Sequence, residues 1–526
     1  MYIHIKYRHA LAFLLWFFAV VALRAQAFQR IYGGTNGEIG TCVKKTPGGG
    51  FILSSFTSSF GNGMDDAYLV KTDSAGNLLW SKTYGGTGDD ICYHVSVCSD
   101  SGYILTGASS SSNINYDVML VRTDKNGNLL WQKYFGGNSD DYGWYVQQAN
   151  DGGFVISGFT SSFSGTFDGY LIKTDANGNM LWDKIFGGNG TDELYGFSKT
   201  NDGGYIVAGE TTTNSFGNSD IWLIRLDSTG DTLWTKQYGR STEDGGNTAI
   251  QTADGGFALA GDIHSFTNPG AHNAALLKTD ANGNLQWVNV YGSNPGAEIS
   301  YDLVQNTDQG YTLLCNSTVY GAGTKDVMLV TTDSLGNLKW ARTYGDSLYE
   351  DCWYMQSTVN GYAFVAESRS FGNGQGDVYF VRTDAFGNSG CHDAPVTPGV
   401  RNPVMQTRSG ISISSGGSAL NHSLSAGSPS TTTSDLCNPQ SVEEQNPGAV
   451  ISVFPNPAHD LVNIAFGHVV PGMEFSLFDV CGKKIMSVPI SESVLHIDLK
   501  NIPAGVYVYC LSGNGTGVRR GRIIVQ

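Results

Sequence analysis

One motif returns six times and limits what this chain can fold into. Asp73-Ser-Ala-Gly-Asn-Leu-Leu-Trp80 has counterparts ending at Trp131, Trp182, Trp234, Trp287 and Trp340, at intervals of 51, 51, 52, 53 and 53 residues by subtraction. A seventh Asp-x-x-Gly-Asn turn begins at Asp384, but Cys391 stands where the next Trp belongs. The missing half appears at the other end, as Phe28-Gln-Arg-Ile-Tyr-Gly-Gly34. A repeat cut in the middle, with its two pieces at opposite ends, predicts a closed ring.

Each unit of roughly fifty residues holds four strand-like segments. In the third they are 141–150, 151–158, 168–175 and 179–188. Each is short, rich in Val, Ile, Phe, Tyr or Trp, and bounded by Gly, Asn or Asp; none has helical periodicity. The turns alternate in length. Asn150-Asp-Gly-Gly153 and Asp-x-x-Gly-Asn are tight, with glycine free to take positive φ and Asp free to bond its own backbone. The Tyr-Gly-Gly-x-x-x-Asp-Asp and Ser59-Phe-Gly-Asn-Gly63 types are longer. In an up-down sheet the tight turns share one face and the long loops the other. Seven second strands begin near Phe51, Tyr103, Phe154, Tyr205, Phe257, Tyr311 and Tyr362. The expected fold is therefore all-β: a seven-bladed β-propeller over 28–391, closed by the N-terminal strand. Ile31 is expected beside 377–383, covering an open edge.

The Asp-x-x-Gly-x-x-x-Trp motif resembles the blade motif of quinoprotein-type propellers, with the Asp-to-Gly spacing one shorter, as in Asp175 to Gly178. The Asp box of sialidases is also similar. In both families the motif is structural. The resemblance implies a fold, with Trp80, Trp131, Trp182, Trp234, Trp287 and Trp340 docking between blades, and no activity.

Composition fits this reading. The chain has 69 glycines, 12 % aromatic residues and 15 % charged residues. A net charge of −16 argues against a nucleic-acid partner, since that affinity rests on Lys and Arg. Residues 1–27 read as a secretory signal: Lys6 and Arg8 precede an apolar run from Leu11 to Leu23, and cleavage fits after Ala25 or Ala27. No later stretch is long and apolar enough to be a transmembrane segment of the mature chain. Nine cysteines leave at least one unpaired. Cys391 and Cys437 bracket a stretch of low complexity and are the expected disulfide. Residues 392–447, rich in Ser, Thr and Gly, read as a linker, part of which the Cys391–Cys437 bridge would hold along the propeller.

Residues 448–526 read as a small antiparallel β-sandwich. They carry Phe454-Pro-Asn-Pro-Ala458, Phe478-Asp-Val-Cys-Gly482, Pro503-Ala-Gly-Val-Tyr507 and a basic stretch ahead of a short apolar end. This segment resembles the type A C-terminal sorting domain of the type IX secretion system. The resemblance implies the type IX machinery as partner, and a protein that is secreted or held on the outer surface of a Gram-negative bacterium.

Chemistry is sparse. No Gly-x-Ser-x-Gly elbow, His-Glu-x-x-His helix or Walker loop occurs, so no catalytic residue is assigned. The histidines, including His94, His264 and His272, are scattered and read as core or surface. Acidic pairs recur where the innermost strands begin: Asp89-Asp90, Asp140-Asp141, Asp192-Glu193 and Glu350-Asp351. Such carboxylates have the ligand chemistry of Ca²⁺, or each bonds its own turn, and no metal residue is assigned. Tyr142, Trp144, Trp353 and Tyr354 stand beside them. Candidate binding residues are thus Asp90, Asp141, Tyr142, Trp144, Asp192, Asp351 and Trp353. The expected function is a binding or adhesion module with a glycan or protein ligand on the long-loop face. The alternative is a polysaccharide-acting lyase or glycosidase, which should break the repeat locally; no such break is visible in the sequence.

Overall fold

The structure, a computed structural model, describes residues 27–437 except 112–113, 164, 265–270, 294, 411, 415–417, 421–424 and 428–430. It also describes 451–525 except 455–457, 459, 467–473, 479–482 and 514–515. The expected signal segment lies outside the described residues but for Ala27. The chain divides into two compact units, 1–437 and 438–526. Among the described residues both are all-β, and no helix is long and apolar enough to cross a membrane.

Seven antiparallel sheets make up the first unit. Sheet 3 is representative, with strands Asp141–Gln148, Phe154–Thr160, Asp168–Thr174 and Met180–Gly187 in sequence order. Its middle strands are buried along their whole length, as expected for sheets covered on both faces. The turn after the third strand shows why Asp and Gly recur. Asp175 Oδ1 accepts the N–H groups of Asn177 and Asn179, both at 2.8 Å, while Gly178 takes φ 77°. The innermost strands of sheets 1, 2 and 4 to 7 begin at Glu38, Asp90, Asp192, Asp244, Glu298 and Glu350.

Adjacent sheets join in a repeated way. The Trp on each fourth strand packs on the turn glycine of the next sheet. A Cβ on Gly127 would lie 2.7 Å from the Trp80 ring, and Gly178, Gly230, Gly283, Gly336 and Gly387 meet Trp131, Trp182, Trp234, Trp287 and Trp340 in the same way. In six of the seven sheets the first amide of the innermost strand also donates to the preceding sheet. Asp90 N, Asp141 N and Asp192 N bond the carbonyls of Asp65, Tyr116 and Phe167, each at 2.7 Å.

Sheet 7 takes its fourth strand from the start of the chain. Phe28–Gly33 pairs antiparallel with Asp377–Arg382, placing Ile31 opposite Tyr379 as the sequence predicts. Sheet 7 then meets sheet 1 through the same contacts: Glu38 N donates to Gly376 O at 2.8 Å, and Phe28 packs on Gly76 in place of a Trp. One buried cluster spans this junction, including Phe28, Tyr32, Val43, Leu53, Tyr68, Val365 and Phe380.

Much of the stretch read as a linker is built into the first unit. Residues 393–435 supply a fifth, outermost strand to every sheet. Asp393–Val396 pairs with sheet 6, Gly399–Arg401 with sheet 5, Gln406–Arg408 with sheet 4 and Ser412–Ser414 with sheet 3. Ser418–Leu420, Ser425–Gly427 and Thr432–Asp435 then pair with sheet 2, sheet 1 and Phe28–Gly33. The chain thus revisits all seven sheets in reverse order, as a belt. Its ends are joined by the Cys391–Cys437 disulfide, as expected from sequence. The first unit therefore extends to Cys437, beyond the expected boundary at 391.

The second unit has two antiparallel sheets, of three and four strands. They share a core that includes Val462, Ile464, Phe475, Leu477, Ile497 and Ile523.

Candidate functional site

A cavity of about 340 Å³ gathers side chains from sheets 3 to 7. They stand near the starts of innermost strands and the ends of second strands, so the long-loop ends of five sheets converge on it. Its walls are aromatic: Trp144, Phe159, Tyr195, Tyr301, Trp353 and Tyr354. Its polar groups include three carboxylates, Glu193, Glu210 and Asp262, and no Lys or Arg is among the lining residues. Trp144 is held by stacking on Tyr93, with centroids 4.2 Å apart and planes at 15°, and by an edge contact with Tyr195 at 5.6 Å.

The carboxylates are electrostatically uneven. Burial pushes Glu210 up to about 7, with the charges of Glu193 and Asp262 adding to the effect. Burial also raises Glu193, opposed by the hydrogen bond that Tyr195 Oη donates to it. Asp262 accepts a 2.5 Å bond from His272 Nδ1.

The sequence candidates separate into two groups. Trp144 and Trp353 line the cavity. Tyr142 lies beside it, packed on Phe159 at 5.0 Å and Tyr116 at 5.4 Å. The recurring acids serve their own turns. Asp90 accepts Gly86 N at 2.7 Å and Ser111 Oγ at 2.6 Å; Asp141 accepts Gly137 N at 2.8 Å and Ser162 Oγ at 2.7 Å. Asp192 accepts Gly188 N at 3.0 Å and Thr213 Oγ1 at 2.7 Å. Burial lifts Asp141 to about 6. Asp351 is bound by Lys325 Nζ at 2.9 Å and Tyr349 Oη at 2.7 Å. None of these four acids is among the cavity-lining residues.

Glu210 and Asp262 are residues the sequence reading missed. They occupy the position held by Phe159 in sheet 3, just after the glycine of the second strand. The signal was there: Gly209-Glu-Thr and Gly261-Asp-Ile stand where sheet 3 has Gly158-Phe-Thr. Sheet 7 carries Glu367 at the same position, so this site on the second strand varies from sheet to sheet and is acidic in three of the seven.

Next to the cavity wall lies a second polar group. His94 is buried and stacks on Tyr145 at 3.8 Å, with Tyr354 edge-on at 5.1 Å. Lys44 Nζ sits 5.5 Å over the Tyr145 ring. Asp302 accepts the amides of Leu303 and Met355, both at 2.9 Å; burial lifts it to about 6 against the opposing charge of Lys44.

Comparison with known proteins gives matches of several kinds. The regulatory protein FlaEY of Caulobacter vibrioides is 22 % identical over 282 residues, covering 45 % of this chain and 28 % of that protein. The extracellular domain of BT4673 from B. thetaiotaomicron aligns over 93 % of this chain and 57 % of its own, at 9 % identity and TM-score 0.37. PorZ, a surface component of the type-IX secretion system of Porphyromonas gingivalis, aligns over 91 % and 74 %, at 9 % identity and TM-score 0.32. Residues 452–526 match the secretion system C-terminal sorting domain, and the protein that carries this tail is secreted or on the cell surface of a Gram-negative bacterium.

Proposed function

We propose that residues 28–437 form a closed seven-bladed β-propeller that acts as a binding module outside the cell, exported through its C-terminal domain by the type IX machinery. The junction of sheets 7 and 1, built like the others, supports the ring. So does the belt. Its strands start every six or seven residues, and seven residues span at most roughly 25 Å. The step from sheet 1 to Phe28–Gly33 is no longer than the rest.

The observation that carries the binding reading is the cavity. Aromatic faces with carboxylates and no basic lining residue suit a cationic group, seated against Trp144 and Trp353 and neutralised by Glu193, Glu210 and Asp262. The ligand is therefore an ammonium- or guanidinium-bearing one, from an amino-glycan or a basic protein segment. The test is an array of neutral glycans, amino-glycans and basic peptides, probed with the full chain. Binding should be confined to the amine-bearing ligands, should weaken with salt, and should be lost in Trp144→Ala. Equal binding of neutral glycans, or retention by Trp144→Ala, sinks the reading.

A second reading rests on Glu210. A carboxyl that holds its proton near neutral pH beside ionisable Glu193 and Asp262 has the makings of a general acid for polysaccharide cleavage. Turnover of a polysaccharide that disappears in Glu210→Gln would favour this enzyme over the binding module.

A further inference from the structure

We infer that sheet 5 carries a site for one divalent transition-metal ion of the zinc class, held by His264, His272 and Glu243. The first argument is a departure from the repeat. In sheet 3 the ladder between second and third strands ends at Thr160 opposite Asp168. In sheet 5 that place is taken by Ile263 opposite Asn273, and the ladder runs one pair further, to His264 opposite His272. Two histidines that look scattered in the sequence thus face each other on adjacent strands, with ring centroids 4.5 Å apart.

Ligand geometry is the second argument. One donor atom from each of Glu243, His264 and His272 lies within 4.8 Å of the others. His264 Nε2 is 3.8 Å from Glu243 Oε2. The main chain sets this spacing, because His264 N donates to Glu243 O at 3.1 Å. The charge of Arg240 acts on His264. Arg240 reaches Asp244 Oδ1 at 3.2 Å and the His264 carbonyl at 2.5 Å.

Orientation is the third. His272 Nδ1 is bonded to Asp262 Oδ2 at 2.5 Å, which leaves Nε2 as its donor to an ion. A carboxylate behind a ligating imidazole is the usual outer partner of a bound metal, fixing the tautomer and ring orientation. Two imidazoles and a carboxylate form a borderline donor set suited to Zn²⁺, with a fourth position left for water or a ligand. Asp262 also lines the cavity. The metal would therefore share a wall with the pocket, and the inference stands whether the pocket binds or cleaves.

The test uses the full chain without a histidine tag, stripped with chelator and titrated with ZnCl₂ by calorimetry. The expected result is one ion per chain with Kd at or below roughly 1 μM, about −8 kcal/mol. Co²⁺ should give the visible absorption of a low-symmetry site. The double variant H264A/H272A should lose the ion, and Asp262→Asn should weaken it by about 10- to 100-fold. Should the double variant misfold, Glu243→Gln changes an exposed side chain and should weaken binding by at least about tenfold. No stoichiometric zinc, or zinc retained in the histidine and Glu243 variants, would overturn the site.

Discussion

Asp377 and Glu38, from opposite ends of the repeat region, face each other across Gly33, where a Cβ would run into both carboxylates. The same arrangement recurs between consecutive sheets: Asp66 and Asp90 across Gly85, Asp168 and Asp192 across Gly187, Asp326 and Glu350 across Gly345. At Asp66 and Asp377 the facing acid adds to burial in raising the carboxyl. The repeated acids that look like an ion-binding rim in the sequence are thus paired, and hold the junctions through the loop amides.

These pairs make stability pH-dependent. Burial first, then neighbouring acids, lifts Asp66, Asp244 and Asp377 to about 6, as burial does for Asp141. A carboxyl raised above its unfolded value contributes stability while protonated. That contribution is complete below about 4 and is lost as pH rises through 6. Tm should therefore rise on going from pH 8 to pH 5, by at least roughly 5 °C. Asp377→Asn should be more stable than the parent at pH 8 and should flatten the profile. A Tm that falls over this interval would show that paired junction acids do not govern it.

The turn glycines test Trp docking against backbone strain. Gly127 and Gly152 both have positive φ, 73° and 86°. A Cβ on Gly127 would meet the Trp80 ring at 2.7 Å, whereas a Cβ on Gly152 would meet nothing within 4 Å. Alanine at either site bears the left-handed backbone penalty, about 1–2 kcal/mol. Gly127→Ala should lose a further 1–3 kcal/mol or so from overpacking. Equal losses in urea denaturation would mean that the Trp is not held by that glycine.

How much of this was legible follows from residue spacing. Trp80 and its counterparts, the Asp turns and the displaced Phe28–Gly33 strand are strong signals, because each recurs with fixed chemistry. The belt was legible only as a stretch that a Cys391–Cys437 bridge would hold along the propeller; its strand pairing was not. Its strands are three or four residues long, as in Ser425–Gly427, too short for alternation to show. Their partners are the exposed edges of fourth strands, which demand main-chain pairing and little from side chains. The cavity was half legible. Trp144 and Trp353 stand out by size, but Glu210 and Asp262 come from second strands, and only the register of sheets 4 and 5 brings them to the same wall.

The belt gives a prediction of its own. The Cys391–Cys437 bridge closes a segment whose ends are 46 residues apart in sequence. In the chain-entropy model such a closure is worth about 4 kcal/mol. Each fifth strand rests on only a few main-chain pairs, such as Val400 opposite Tyr291. Cys437→Ser should therefore release the belt before the sheets unfold. Hydrogen exchange should quicken at Val400 and Thr407 while Leu171 and Leu223 keep their protection. Uniform quickening would show that the belt and the sheets unfold as one.

Asp302 offers a sharper electrostatic test, because one cation stands against its burial. Its carboxylate is raised to about 6 by burial, and Lys44 is the first of the groups that pull it down. Lys44→Met removes that charge and leaves an ionised carboxylate without its partner. Loss of one member of a buried pair costs about 3–5 kcal/mol when the other stays charged. The sign with pH follows directly. At pH 8 Asp302 is ionised and the full loss should appear; at pH 5 it is protonated, and the loss should shrink by at least roughly 1 kcal/mol. Adding Asp302→Asn to Lys44→Met should restore much of the stability at pH 8 and little at pH 5. Urea midpoints at the two pH values decide it. A Lys44→Met loss of the same size at both would mean that Lys44 acts through its packing over Tyr145 and not through its charge.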